Sequence, residues 1–384
     1  MPATERLLVV TESFGIGGTE SHLIRLLPLL ADSGLDVAVF CMTERGGRAG
    51  ELERAGVKLF TAREQSGRHG TLLRQPAHVA IAALKLRALM RRFDPHIVHF
   101  YLPGPYLIGA PVALVSRAPL KIMSRRSLSR YQRNWPAVAR IERLLHRRMD
   151  AVTGNSRAVV KELSAEGIPE TKLRLIYNGI DIAPEMNRSE ARRALGLSDD
   201  ALVGVMVANL IPYKGHHDLI EGLAGIAGQL PADWRVLLAG RDEGLRFELE
   251  TLAAERSIGE NVVFLGERSD VPRLLAAANF GLLTSHEEGF SNVVLEGMAA
   301  ALPMIVTDVG GNAEAVLDGE TGLVVQPRNP KSIGEAVLQL AGDARLRTSL
   351  GQAGQKRVVE HFSMEACLRA HLQLYRALLA ARFK

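Results

Sequence analysis

Two acids eight residues apart, Glu288 and Glu296, stand in the stretch HEEGFSNVVLEGMAAALPMIVTDVGGNAEAV, which runs from His286 to Val316. FGLLTSHEE reads as a strand and NVVLEGMAAAL as the helix after it, with Gly289 permitting the turn and Ser291 placed to cap the helix. Glu288 then lies in the loop at the strand end, and Glu296 about one and a half turns into the helix. The N–H groups of Phe290 and Ser291 can meet a phosphate or a sugar oxygen at that helix start. A carboxylate accepts charge-assisted hydrogen bonds from hydroxyls worth about 1.5–3 kcal/mol each, so the pair suits a polyol held at two ends. The plain alternative for both acids is a charge placed to favour the helix N-terminus.

Two other stretches could face an anion. TESFGIGGTESHLIRLLPLL places Gly15, Gly17 and Gly18 between a strand and a helix beginning near Thr19 or Glu20, where backbone N–H groups and the helix dipole favour a phosphate. As a dinucleotide fingerprint it fails, because the third glycine position falls on Glu20; a hydride-transferring dehydrogenase is disfavoured. A tight strand-to-helix turn is the competing explanation. VANLIPYKGHHDLI places Lys214 in a turn before a helix, a point charge suited to a diphosphate, unless it is an ordinary solvated lysine. His216 and His217 are neighbours on a helix and face different ways, which makes a poor metal site.

These residues need a scaffold that brings strand ends together. In the first half the expected strands are RLLVVTES, DVAVFCMT, HIVHFYL, LKIMSRRS and AVTGNS; in the second they are LVGVMVANL, RVLLAGRD, NVVFLGE, FGLLTSHEE, PMIVTD and GLVVQP. Amphipathic helical stretches alternate with them, the pattern of a parallel sheet covered by helices. Each run turns polar or glycine-containing at its carboxyl end, where open α/β sheets bind ligands. The 384 residues exceed one ordinary core and divide near LIYNGIDIAPEMNRSE. We expect doubly wound domains over residues 1–180 and 181–362, with the helical tail 363–384 crossing back onto the first.

Composition narrows the classes. With 47% hydrophobic and 23% charged residues the chain is an ordinary globular protein, and two distant cysteines argue against a disulfide framework or a Cys-based metal site. No secretion signal or membrane-spanning run is visible, so a cytoplasmic protein is expected. The net charge of +5 is concentrated between Arg117 and Arg148, where ten Lys or Arg residues face the single acid Glu142. A solvated helix face, an anionic membrane surface or a phosphate-bearing substrate would each explain this run. Nucleic acid is disfavoured by the 5% aromatic content and the lack of a binding module.

Taken together, these motifs resemble the family 4 glycosyltransferases, retaining enzymes of the GT-B fold, with Glu288 and Glu296 as their E-x7-E signature. The likeness spans nearly the whole chain: GIGGTESHLIRLL resembles the first phosphate loop, NGID the interdomain crossing and VANLIPYKGH the diphosphate turn. LGERSDVPRLLAAANFGLLTS is similar to the nucleobase loop, and VGGNAEAVLDGETGLVV to the closing strand-helix unit. The resemblance implies two Rossmann-like domains facing each other across a cleft, a nucleotide-sugar donor with uridine as the first choice of base, and no metal. It implies that Glu296 binds the ribose and Glu288 the transferred sugar. Gly289, Phe290 and Ser291 offer backbone N–H groups, Lys214 and Gly18 meet the diphosphate, and the backbone at Arg268 meets the base; Gly17, Asn209 and Asn292 complete the donor set.

Two departures stand out. Asn209 and Ile211 occupy positions where many members carry a phosphate-binding arginine, and Arg125 or Arg126 stands where many carry a histidine. Arg125 is therefore a candidate to take over part of the phosphate or acceptor role. His99, at the end of HIVHF, is a second candidate by strand position, with a core or capping role as its alternative. The implied reaction is front-face displacement, passing a sugar from a UDP-sugar to a saccharide or lipid-linked saccharide, with the diphosphate helping to deprotonate the acceptor. Two acids engaged with hydroxyls around a helix start do not suggest the paired carboxylates of a retaining glycosidase. A non-catalytic nucleotide-sugar or polysaccharide-binding protein of the same fold is the alternative.

Overall fold

The computed structural model describes residues 5–15, 17–63, 76–116, 120–129, 132, 135–182 and 186–382. Residues Met1–Gly179 and Met364–Lys384 form one compact unit, and Ile180–Ser363 a second.

The first unit is built on a seven-stranded sheet: β1 (Arg6–Thr11), β2 (Asp36–Cys41), β3 (Lys58–Thr61), β4 (Ile97–Tyr101), β5 (Leu120–Arg125), β6 (Ala151–Gly154) and β7 (Leu173–Leu175). The order β3-β2-β1-β4-β5-β6-β7 is parallel throughout. Helices cover both faces, so a central strand is apolar on both sides and reads as an unbroken hydrophobic run; every residue of Ile97–Tyr101 is buried. One face is closed by the helices Gly18–Asp32 and Met364–Arg382, the latter contributing Met364, Cys367, Leu374, Tyr375 and Leu379 to the same core as Leu23, Leu26, Leu27 and Val9. The other face carries the helices Pro76–Phe93, Pro103–Leu114, Pro136–His146 and Arg157–Ala165.

The second unit has six parallel strands: β8 (Leu202–Val207), β9 (Trp234–Ala239), β10 (Val262–Gly266), β11 (Phe280–Leu283), β12 (Met304–Thr307) and β13 (Gly322–Val325), in the order β10-β9-β8-β11-β12-β13. Strand order reverses between β8 and β11. Connections leave the two strands in opposite directions there, opening a crevice at their carboxyl ends. Lys214 follows β8 and Glu288 follows β11, so the topology alone places both at that crevice.

Two short edge strands, β3 and β7, were absent from the sequence expectation; with four and three residues they offer too little pattern to read. Among the described residues no helix is long and apolar enough to cross a membrane.

Candidate functional site

The second unit brings two loops into register at the β8/β11 crevice. After β8 the chain makes a single 3-10 turn, Pro212–Lys214, and Gly215 then starts the helix His216–Ala224. After β11 it runs through Thr284–Ser291 into the helix Asn292–Ala299. Lys214 Nζ donates to Glu288 Oε1 at 2.6 Å, and Ser285 Oγ donates to the same oxygen at 2.6 Å. Both charged side chains are largely shielded, at 18% and 11% exposure, so the ion pair is only weakly screened. His286 clasps the two loops: its backbone N–H donates to the Tyr213 carbonyl at 2.7 Å, and its ring Nε2 meets Asp218 Oδ2 at 2.6 Å.

Two glycines allow this closeness. Gly215 has φ +72°, and a Cβ there would fall inside the Thr284 carbonyl; Gly310 has φ +55°, and a Cβ there would fall inside the Glu288 carbonyl. The loop after β12 thus buttresses the Glu288 backbone, and the Gly311 N–H donates to the Gly289 carbonyl at 2.9 Å.

Of the remaining donor candidates, all but Gly17 and Gly18 also lie in this unit. Glu296 is half-buried on the helix Asn292–Ala299. Asn292 opens that helix; Ser291 sits at the capping position with extended dihedrals but makes no side-chain cap bond, leaving the cap to backbone geometry. Phe290 is not a surface residue. Its ring is buried against Phe362, centroids 5.3 Å apart, so its side chain is committed to packing. Asn209 Oδ1 accepts the backbone N–H of Arg241 at 3.1 Å, tying the β8 end to the β9 end, and the Arg268 guanidinium grips Asp270 through two 2.8 Å bonds. The clasp partners Ser285, His286 and Asp218 and the glycines Gly215 and Gly310 escaped sequence reasoning. The only available signal was their adjacency to Lys214, Glu288 and the Gly-Gly pair.

In the first unit, Gly17 is the N-cap residue of the helix Gly18–Asp32, with Gly18 exposed as its first residue. The Glu20 carboxylate folds over Gly17, so close that a Cβ on Gly17 would meet it. Burial, and then the charge of Glu20, raises the Glu12 carboxyl above its ordinary range. An anion at this loop has therefore to compete with two carboxylates.

Arg125 and His99 correct the sequence expectation. Arg125 ends β5 but turns inward, 1% exposed, with both terminal nitrogens on the Glu166 carboxylate and one also 3.7 Å from Glu142, which is itself fully buried. A guanidinium already held by two buried carboxylates cannot serve a phosphate at the strand edge. The same nitrogen donates to His146 Nε2 at 3.2 Å. Arginine only donates, so His146 carries its proton on Nδ1 and donates it to the Tyr106 hydroxyl, 2.9 Å away. His99 is fully buried between the Tyr375 hydroxyl at 2.8 Å and Ser124 Oγ at 2.7 Å, and Ser124 in turn meets Thr153 Oγ1 at 2.5 Å. It does not face ligand; it knits β4, β5, β6 and the C-terminal helix.

These two rings make stability pH-dependent. Burial, then Arg125, lowers His146 to about 3. Burial, then the neighbouring His371 and Arg126, holds His99 well below its ordinary value. The folded values lie below the unfolded value near 6.5, so the unfolded chain binds more protons in acid: stability is intact above pH 6.5 and falls as pH drops below it. At about 1.4 kcal/mol per pH unit below 6.5, His146 removes about 2 kcal/mol by pH 5, and His99 acts in the same direction. Urea unfolding should show a clearly lower midpoint at pH 5 than at pH 7; equal midpoints would mean that the rings accept protons in the folded state.

Comparison with known proteins then assigns the chain to a family. Residues 16–184 match the model of Glycosyltransferase Family 4, and residues 187–357 match that of Glycosyl transferases group 1. The chain belongs to the family 4 glycosyltransferases. This glycosyltransferase is 27% identical over 358 residues to the lipopolysaccharide core biosynthesis glycosyltransferase LpsE of Rhizobium meliloti (strain 1021), covering 93% of this chain and 95% of that one. It is 25% identical over 311 residues to N-acetyl-alpha-D-glucosaminyl L-malate synthase of Bacillus anthracis, covering 79% and 81%. Its fold is similar to that of Anabaena Alr3699/HepE, solved in complex with UDP-glucose, with a TM-score of 0.83, 22% identity and coverage of 97% and 99%. The fold is GT-B: two parallel sheets flanked by helices.

Proposed function

We propose that this glycosyltransferase retains anomeric configuration while moving a hexosyl group from a UDP-sugar to a saccharide or lipid-linked saccharide, with no metal taking part in the transfer. The observation that carries the reading is the Lys214–Glu288 pair at the β8/β11 crevice, where one loop offers a cation and the other a carboxylate at a helix start. Lys214 stabilises the charge that grows on the departing diphosphate, Glu288 and Glu296 accept hydroxyls of the sugar and ribose, and the N–H groups from Gly289 to Asn292 supply further donors. The diphosphate leaves from the face on which the acceptor hydroxyl enters and takes up its proton. A complex with UDP-glucose in HepE and a lipopolysaccharide role in LpsE support the choice of donor and acceptor classes.

Thermal stabilisation by a panel of UDP-, GDP- and ADP-sugars tests the site. A UDP-sugar should raise the Tm of the wild-type protein and fail to do so with Glu296→Ala; a response unaffected by that substitution would remove Glu296 from the ribose. If a donor binds but no acceptor releases nucleotide, the non-catalytic reading gains.

The acceptor side is drawn to an anionic bilayer through the helix Pro136–His146. This helix is turned unusually: its inner face holds Glu142 and His146 around Arg125, so Ile141 and Leu144 point outward at 48% and 64% exposure. Exposed Trp135 precedes it, Arg140, Arg143, Arg147 and Arg148 surround it, and Leu114 and Val115 are exposed on the neighbouring helix Pro103–Leu114 and its end. Apolar side chains ringed by arginines fit the interface of an anionic bilayer. Arg117, Arg130 and Arg133 of the basic run lie outside the described residues. Leu144→Glu should reduce cosedimentation with phosphatidylglycerol vesicles at least about threefold, since it loses buried apolar area and adds a repelled charge; equal sedimentation with neutral vesicles would refute the bilayer.

A further inference from the structure

In the first unit, three metal-binding side chains converge in the core. His22 comes from the helix Gly18–Asp32; Cys367 and His371, one turn apart, share a face of the helix Met364–Arg382 packed against it. All three are buried. Cys367 Sγ lies 3.9 Å from His22 Nε2 and 3.5 Å from His371 Nδ1, and the three atoms all fall within 4.8 Å of one another.

These separations are long for hydrogen bonds and short for unrelated groups. Around one tetrahedral ion, with metal–nitrogen bonds of about 2.0–2.1 Å and a metal–sulfur bond of about 2.3 Å, donor atoms sit roughly 3.3–3.6 Å apart. His22 turns Nε2 towards Cys367 Sγ, and its other ring nitrogen, Nδ1, is buried as well. An outer partner is already in place: the Tyr101 hydroxyl lies 3.2 Å from His371 Nε2, positioned to fix the ring when Nδ1 ligates. His371 Nδ1 now meets the Cys367 carbonyl at 2.9 Å, a contact that ligation replaces.

We propose that His22, Cys367 and His371 form a buried site for a thiophilic d10 cation, Cu(I) or Zn(II), which staples the C-terminal helix to the first helix of the unit. One thiolate and two imidazoles suit such ions, and none of the three ligands is the carboxylate that Mg²⁺ or Ca²⁺ would demand. On binding, the thiol proton passes to solvent. Cys367 and His22 also interact with the backbone of Gly179, the last residue of the unit before the chain enters the second, so the ion would stiffen that segment as well.

The full chain, stripped with chelator and kept reduced, would be titrated anaerobically with Cu(I) against a chromophoric competitor, and separately with Co(II) as a visible surrogate for Zn(II). We expect one equivalent bound, a near-ultraviolet thiolate-to-metal band, and a raised Tm reversed by chelator. Cys367→Ser should abolish the band, Cys41→Ser should leave it intact, and Tyr101→Phe should weaken binding about tenfold, the scale of losing an outer partner. Binding of Cu(I) alone or of Co(II) alone identifies the ion. No stoichiometric binding by wild type, or a band that survives Cys367→Ser, overturns the proposal; the wild-type and Tyr101→Phe titrations decide it even if Cys367→Ser fails to fold.

Discussion

Lys214→Ala should lower kcat/KM for sugar transfer by about a hundredfold or more, the scale of losing one preorganised electrostatic contact to developing charge. Lys214 is held, not floating: a 3-10 turn fixes its backbone, Thr284 Oγ1 donates to its carbonyl at 3.3 Å, and Glu288 anchors its ammonium at 2.6 Å. The substitution removes a cation from the crevice and leaves Ser285 as the partner of Glu288 Oε1 among the described residues. If Lys214 acts mainly in the transition state, kcat carries most of the loss; if it acts equally on bound donor, KM does. A change under threefold in kcat/KM would remove Lys214 from the chemistry.

Arg125→Met should cost about 3–5 kcal/mol of stability, because it leaves the buried Glu166 carboxylate without its cation and takes the nearby charge from buried Glu142, whose Oε2 still accepts from Gln132. Donor affinity of the folded variant should be unchanged. Adding Glu166→Met should recover much of the loss, since apolar replacement of a buried ion pair is often close to neutral. Urea midpoints for the two variants and donor titration of each give the answer. A variant of wild-type stability with weakened donor binding would instead restore the phosphate-binding role expected from the strand pattern.

That contrast shows what the chain makes legible. Long apolar runs such as RLLVV and LVGVMV announce strands because a parallel sheet is covered on both faces, and their polar ends announce the ligand edge. Lys214, Glu288 and Glu296 could be found because glycine, a short turn and a following helix surround them. Direction was the hidden quantity. Arg125 and Arg126 are adjacent at one strand end, and nothing local says that Arg125 is the one paired with buried carboxylates; that pairing rests with Glu166, forty-one residues on. His99 sits in a run whose every residue is interior, and its partner Tyr375 is 276 residues away. The His286–Asp218 clasp spans 68 residues in the same way. Such pairings arise from the fold and leave no periodic trace.

The helix Met364–Arg382 completes the core of a unit whose other residues end at Gly179. On the ribosome those residues emerge first, yet Leu23, Leu27 and Val9 lack their covering layer until the whole of Ile180–Ser363 has been made. Until then the first unit keeps an apolar face uncovered. That face is a surface for chaperones throughout the interval.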